Sequence, residues 1–162
     1  SEGPFFQSLY KLHKLITFIF TGHNINFGNY SLLTKSDVEK LHSKASLWSS
    51  YSGSVKKHLK SLNEINSIRG LRYFGPSQMS LFKLIIHSLS IIAVFKYHVF
   101  LRSTLVLIVI AYLNSYLGFL SIFFQISIVI FNLLIFIVSQ REQEKDLLNS
   151  HNNLAGVKKI TY

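Results

Sequence analysis

Seven histidines are the residues in this chain most suggestive of a metal or haem site, since cysteine is absent. His87 and His98 are the two that fall in apolar sequence. They are eleven residues apart. On one helix they would share a face but stand about 16 Å from each other, too far to ligate one ion. His13, His23, His42, His58 and His151 lie in water-compatible segments. No His-Glu-x-x-His pattern and no histidine pair at i,i+4 accompanies them. Without thiols, disulfides, Cys-ligated zinc and iron–sulfur clusters are also excluded.

The carboxylates are equally uninformative about chemistry. None lies between Glu64 and Glu142. A proton pathway through a membrane would normally show an intramembrane acid. Glu142, Glu144 and Asp146 form one short run, read as solvated surface rather than an acid–base pair. Glycine-rich phosphate loops and the Gly-x-Ser-x-Gly elbow are missing. The expectation is a protein that is not an enzyme, with no catalytic, cofactor-binding or metal residues and no cofactor. A membrane enzyme or transporter half-site acting as an oligomer is the least supported alternative.

The segments that would position any site divide the 162-residue chain in two. Residues 1–80 carry ten Lys/Arg against four Asp/Glu. Residues 103–140 carry no charge at all, 38 residues between Arg102 and Arg141. The fold class expected is all-α: an integral membrane protein with two or three transmembrane helices in the C-terminal half and a small, basic, helical N-terminal region. Net charge is +10. Beside a membrane, such a surface attracts anionic phospholipid headgroups and satisfies the positive-inside rule. Only four of seventeen basic residues are Arg, and no aromatic–basic interleaving is present, so nucleic acid is not an expected partner. Asn29-Tyr30-Ser31 is read as a chance sequon.

Residues 1–33 read as an amphipathic, interfacial helix followed by a Gly/Asn-rich loop. Pro4 suits the first turn and Gly22 a stop. Residues 34–79 read as an extramembrane helical hairpin. A capping box at Ser36 and Glu39 opens its first helix. Ser49 to Ser54 breaks it, and a second helix runs from about Val55 to Ile68 with Gly70 as its C-cap. Leu71 to Ser77 is a turn. Such a pair of helices is too small to stand alone in water. It is expected to rest on a partner or on the rest of the chain.

Residues 80–140 are the transmembrane region, split into 81–101 and 103–140. Lys83 and Lys96 flank the first segment and suit snorkelling to headgroups. As one helix, 103–140 would run about 57 Å against a hydrocarbon core of ~30 Å. It is therefore either a hairpin turning at Asn114 to Gly118 or one long helix that leaves the lipid. At 100° per residue, Ser121, Gln125, Asn132 and Ser139 fall within about 40° of one another. Asn114 and Gly118 join that stripe if the helix is continuous. An amide facing lipid would leave hydrogen bonds unmade. Asn114, Gly118, Ser121, Gln125, Asn132 and Ser139 are thus the expected helix-packing seam. Lys11, Lys14, Lys83, Lys96, Arg102 and Arg141 are the expected interface residues. Residues 141–162 read as a polar tail that begins helical and ends near His151.

Chain size, seam and undersized outer helices together lead to the expectation of a non-catalytic accessory subunit of a large membrane complex, with other transmembrane subunits as partners. The chain begins at Ser1, so either a leader was removed or this is a fragment; the respiratory chain or ATP synthase of the mitochondrial inner membrane is the expected setting. The alternative is a membrane-shaping or scaffolding hairpin of the endoplasmic reticulum.

Overall fold

The structure, a computed structural model, describes residues 4–25, 30–63, 65 and 80–150. Every regular element among the described residues is helical. In chain order they are α1 (Pro4–Thr21), α2 (Lys35–Leu41), a 3-10 turn (Ala45–Trp48), α3 (Tyr51–His58), α4 (Leu81–Ala93), α5 (Lys96–Tyr112), α6 (Asn114–Leu117), α7 (Phe119–Ser139) and α8 (Glu144–Leu148). The expected stop at Gly70, the Leu71–Ser77 turn and the tail beyond Ser150 lie outside the described residues.

The uncharged stretch folds as a hairpin. Gly118 adopts φ +52° and ψ −129°, a conformation that L side chains avoid. There the chain reverses after the single turn of α6. α7 then runs back along α5, and the Ser121 hydroxyl donates to the Ile110 carbonyl at 3.4 Å. Counted from Arg102 the first arm would be only about eleven residues, but α5 begins at Lys96 and so lengthens it. The arms are 17 and 21 residues long, about 25 and 31 Å. α7 begins the one described helix that is long and apolar enough to cross a membrane unaided.

Residues 81–101 do not form one helix. α4 and α5 meet at 91° across Val94 and Phe95. Neither a proline nor a glycine breaks the helix there. Ile91 to Phe95 are instead buried on every side, with Ala93 and Val94 completely enclosed. The Lys57 ammonium bonds the Val94 carbonyl at 2.7 Å, and α3 packs closely enough that a Cβ at Gly53 would stand 3.1 Å from Val94. Tertiary packing thus overrides the helical continuity that local sequence favours. α4 and α5 are together apolar enough for a span but are bent into two pieces.

The main core lies where α1, α4, α5 and α7 converge. Ile92, Ala93, Val99 and Ile135 form its centre, with Ile16, Phe20 and Phe131 packed against them. The Phe20 and Phe131 rings lie 4.7 Å apart. α1 is therefore docked on the other helices through one face, while Leu12, Leu15, Phe18 and Ile19 remain exposed on the other.

A second, smaller core of Leu41, Val55 and Leu59 joins α2 to α3. Its helices begin earlier than expected, α2 by two residues and α3 by four. Thr34, not Ser36, caps α2: its oxygen accepts the Asp37 N–H at 3.2 Å, and its hydroxyl donates to the Asp37 carboxylate at 2.8 Å. That hydroxyl bond, first among the causes, holds the Asp37 carboxyl below its ordinary value. The serine-rich segment read as a break instead starts α3, because Ser50 accepts the Gly53 N–H. Buried Ser54 donates to Ser46 at 2.9 Å. α3 ends at His58, and Leu59 is already extended, so the helix is much shorter than the apolar spacing to Ile68 suggests.

Gly118→Ala tests the hairpin. Open space surrounds the new methyl group, so any cost comes from backbone strain, about 1–2 kcal/mol. Denaturant unfolding in detergent micelles should show that loss, whereas unchanged stability would mean the turn is not held at this conformation.

Candidate functional site at the base of the hairpin

Apart from exposed Ser127, the polar side chains of α7 are gathered on the face turned towards α4 and α5. Ser121 and Ser139 are buried there together with Ile135. Gln125 donates to Ser121 at 2.9 Å, so a short relay runs from the Gln125 amide through Ser121 to the α5 backbone. Asn132 donates to Ile128, one turn back on its own helix. Ser139 likewise bonds Phe136. The bonds these groups make lie within α7, apart from the one across to α5, and the Asn132 Oδ1 is buried with no hydrogen-bond partner among the described residues. Asn114 and Gly118 depart from the expected seam: both are exposed at the hairpin tip, because the reversal at Gly118 ends the angular continuity that had aligned them.

The expected interface cations are distributed differently from a row of free headgroup ligands. Lys11, Lys83 and Arg141 are exposed. Lys14 stands over the Tyr10 ring at 4.7 Å. Arg102 and Lys96, in contrast, are held by the protein. The Arg102 guanidinium donates to the Ile19 carbonyl at 3.0 Å. That carbonyl belongs to the last turn of α1, where unpaired carbonyls and the negative end of the helix dipole favour a cation. Lys57 does the same for the end of α4 through Val94. Two helix C-termini thus receive a basic side chain from another element.

Lys96 pairs with Glu142 at 3.5 Å, joining the start of α5 to the chain just beyond α7. The Glu142 side chain is only 9% exposed. Its Oε2 faces Lys96, while Oε1 is buried with no hydrogen-bond partner among the described residues. Burial pushes the Lys57 ammonium below its ordinary value. Nearby Glu142 opposes that shift and Lys96 adds to it. His58, bonded to Ser46 at 3.3 Å, is also pushed down by burial and by the charges of Lys57 and Lys44. Across the elbow, His23 lies against Phe95 and His98, with ring centroids 4.6 and 5.9 Å away. Burial, then His98, Lys56 and Arg102, lower its pKa as well.

Lys57, His58, Lys96 and Glu142 border an open groove of about 670 Å3. Lys44 and Lys145 complete its basic lining, and Glu142 and Glu144 are its two acids. The chemistry on offer is electrostatic: a dense set of N–H donors suited to an oxyanion, and one carboxylate oxygen suited to a donor. Among the described residues, no group of three His, Cys, Asp or Glu side chains is placed to hold a metal ion.

Sequence reasoning missed Lys57 and Glu142. Lys57 lies in the helix read from about Val55 to Ile68, with nothing local to single it out, and Glu142 in a run read as solvated surface. They are 85 positions apart, and no local pattern announces that they approach one another. Comparison with protein-family models, curated proteins and solved structures finds no match to this chain.

Lys57→Met keeps most of the apolar stem and removes the cap on Val94. With a buried carbonyl left unpaired, the chain should lose about 1–3 kcal/mol and the elbow should become more accessible to hydrogen exchange. Equal exchange at Val94 to Lys96 in both proteins would show that the elbow does not depend on this bond.

Proposed function

We propose that the chain is a non-catalytic structural subunit of a larger membrane assembly, inserted through the α5–α7 hairpin. The observation that carries this reading is the division of α7. Its polar groups other than Ser127 turn inward, and Leu120, Phe123, Ile126, Ile130, Leu133 and Ile137 are each more than half exposed along the outside. A continuous apolar face of that length requires lipid or other transmembrane helices. Exposed Tyr97 near one end of the hairpin and Tyr112 and Tyr116 at the other suit the two headgroup layers, where tyrosine concentrates.

Membership of an assembly is supported by the water-facing helices. Tyr30 and Leu32 are fully or almost fully exposed, and Trp48 is close to half exposed. Apolar side chains in those positions suit contact with another protein. The setting we assign is the mitochondrial inner membrane, with the respiratory chain or ATP synthase as the assembly. A membrane-shaping hairpin is the second reading, favoured by the paired arms and by the exposed apolar side of α1.

Native-gel separation of mildly solubilised membranes, followed by mass spectrometry, distinguishes the two. The expected result is stoichiometric co-migration with other inner-membrane proteins, far above the 18.6 kDa of the chain. Migration alone, combined with tubulation of liposomes by the purified protein, would contradict the subunit reading.

A further inference from the structure

The groove at the base of the hairpin has two properties that no single contact within the chain explains. Four lysines and a histidine line it against two carboxylates, Glu142 and Glu144, so its lining stays net basic. Lys57 and Lys96 already serve the chain, through Val94 and Glu142. The Lys44 and Lys145 ammonium groups make no ion pair among the described residues, and both residues are exposed. The second property is the buried, unpartnered Oε1 of Glu142. A simple anion would suit the lysines and leave that oxygen unpaired. A ligand bearing both an oxyanion and a hydroxyl donor would satisfy both.

The groove also opens onto an apolar track. Tyr97 lines its edge, and Leu101, Leu105 and Ile108 follow on the same exposed side of α5. Their spacings of four, four and three residues keep them in line. The track begins at the charged end of the hairpin and rises along the arm. A water-soluble phosphate would leave it uncovered, whereas the acyl chain of a lipid would lie along it.

We infer that this groove is a specific site for an acidic phospholipid whose headgroup carries a free hydroxyl, of the phosphatidylglycerol class. The phosphodiester sits against Lys44, Lys57 and Lys145. A headgroup hydroxyl donates to Glu142 Oε1, and one acyl chain follows Tyr97, Leu101 and Leu105. Basic pockets at the membrane boundary of helical proteins bind such headgroups by the same chemistry. The site rests on the proposed membrane insertion and deepens it, because it sets the depth of the hairpin at the Lys96–Glu142 pair.

The test uses the full chain in nanodiscs of equal parts phosphatidylcholine and phosphatidylglycerol. Native mass spectrometry then reads which lipid stays bound on release. Phosphatidylglycerol should be retained in preference to phosphatidylcholine, and excess inorganic phosphate should not displace it. Lys44→Gln with Lys145→Gln removes two charges that make no ion pair among the described residues. Each charge is worth roughly fivefold, so retention should fall about 25-fold while helical content and melting stay unchanged. Glu142→Leu removes the acceptor and should lower the retention of phosphatidylglycerol relative to phosphatidic acid, which lacks the glycerol headgroup hydroxyl. Equal retention of the two nanodisc lipids, or an unaffected double variant, overturns the site. Displacement by inorganic phosphate reassigns it to a soluble anion and overturns the lipid. A chain that does not enter the nanodisc overturns the membrane reading and this site together, whereas a chain that enters without selectivity overturns this site alone.

Discussion

The bond from the Lys57 ammonium to the Val94 carbonyl is the contact on which the rest of the arrangement depends. A helix that ends inside an apolar core leaves carbonyls without partners, and each would carry a desolvation cost. At the end of α4 one of those carbonyls is met by a lysine from α3, 37 positions earlier in the chain. With that end capped, the chain can turn through 91° at a sequence that contains no helix breaker. The turn aims α5 so that α7 can return beside it. The return then brings Glu142 to Lys96. One long-range hydrogen bond thereby couples the small water-facing helices to the apolar hairpin.

Arg102 repeats the device on α1. It lies six residues along α5 from Lys96, about 9 Å up the hairpin, on the side where α1 is docked. A cation at that height is costly in an apolar environment unless it is paired. The terminal carbonyls of α1 provide the pairing, and the arginine in return holds α1 against the bundle. The two cations thus have structural work that their positions in the sequence do not reveal. Glu142 lies near Lys57 and balances part of its charge. The seam of α7 follows the same rule in a neutral form for its N–H groups, since the amide nitrogens of Gln125 and Asn132 meet a hydroxyl and a carbonyl close by.

Much of α7 was readable in the sequence because a single physical quantity governs it. The 3.6-residue period places Ser121, Gln125, Asn132 and Ser139 on one side whatever surrounds the helix. Asn114 fitted the same arithmetic by coincidence, and only the positive φ at Gly118 separates it from the others. The elbow at Val94 and Phe95 was invisible, because its cause lies in α3 and not in the local residues. Around Ser50 the sequence misled in the opposite direction. Serine and glycine read as breakers when they are isolated, yet here they cap and pack a short helix. The Lys96–Glu142 pair and the groove around it depend on the same distant meeting of elements, so composition announced the charge but not where it would gather.

The central claim is that α5 and α7 cross the membrane as a hairpin whose two ends emerge together. The chain contains no cysteine, so single cysteines at Lys40, Ser115 and Lys145 report topology without background. Sealed, oriented vesicles treated with a membrane-impermeant maleimide give the measurement. The account predicts that the Lys40→Cys and Lys145→Cys proteins label from the same side, and Ser115→Cys only from the other. Labelling of Lys40→Cys and Lys145→Cys from opposite sides would show a single crossing. Labelling of Ser115→Cys from their side would show a hairpin that enters without crossing. Either result would contradict the account.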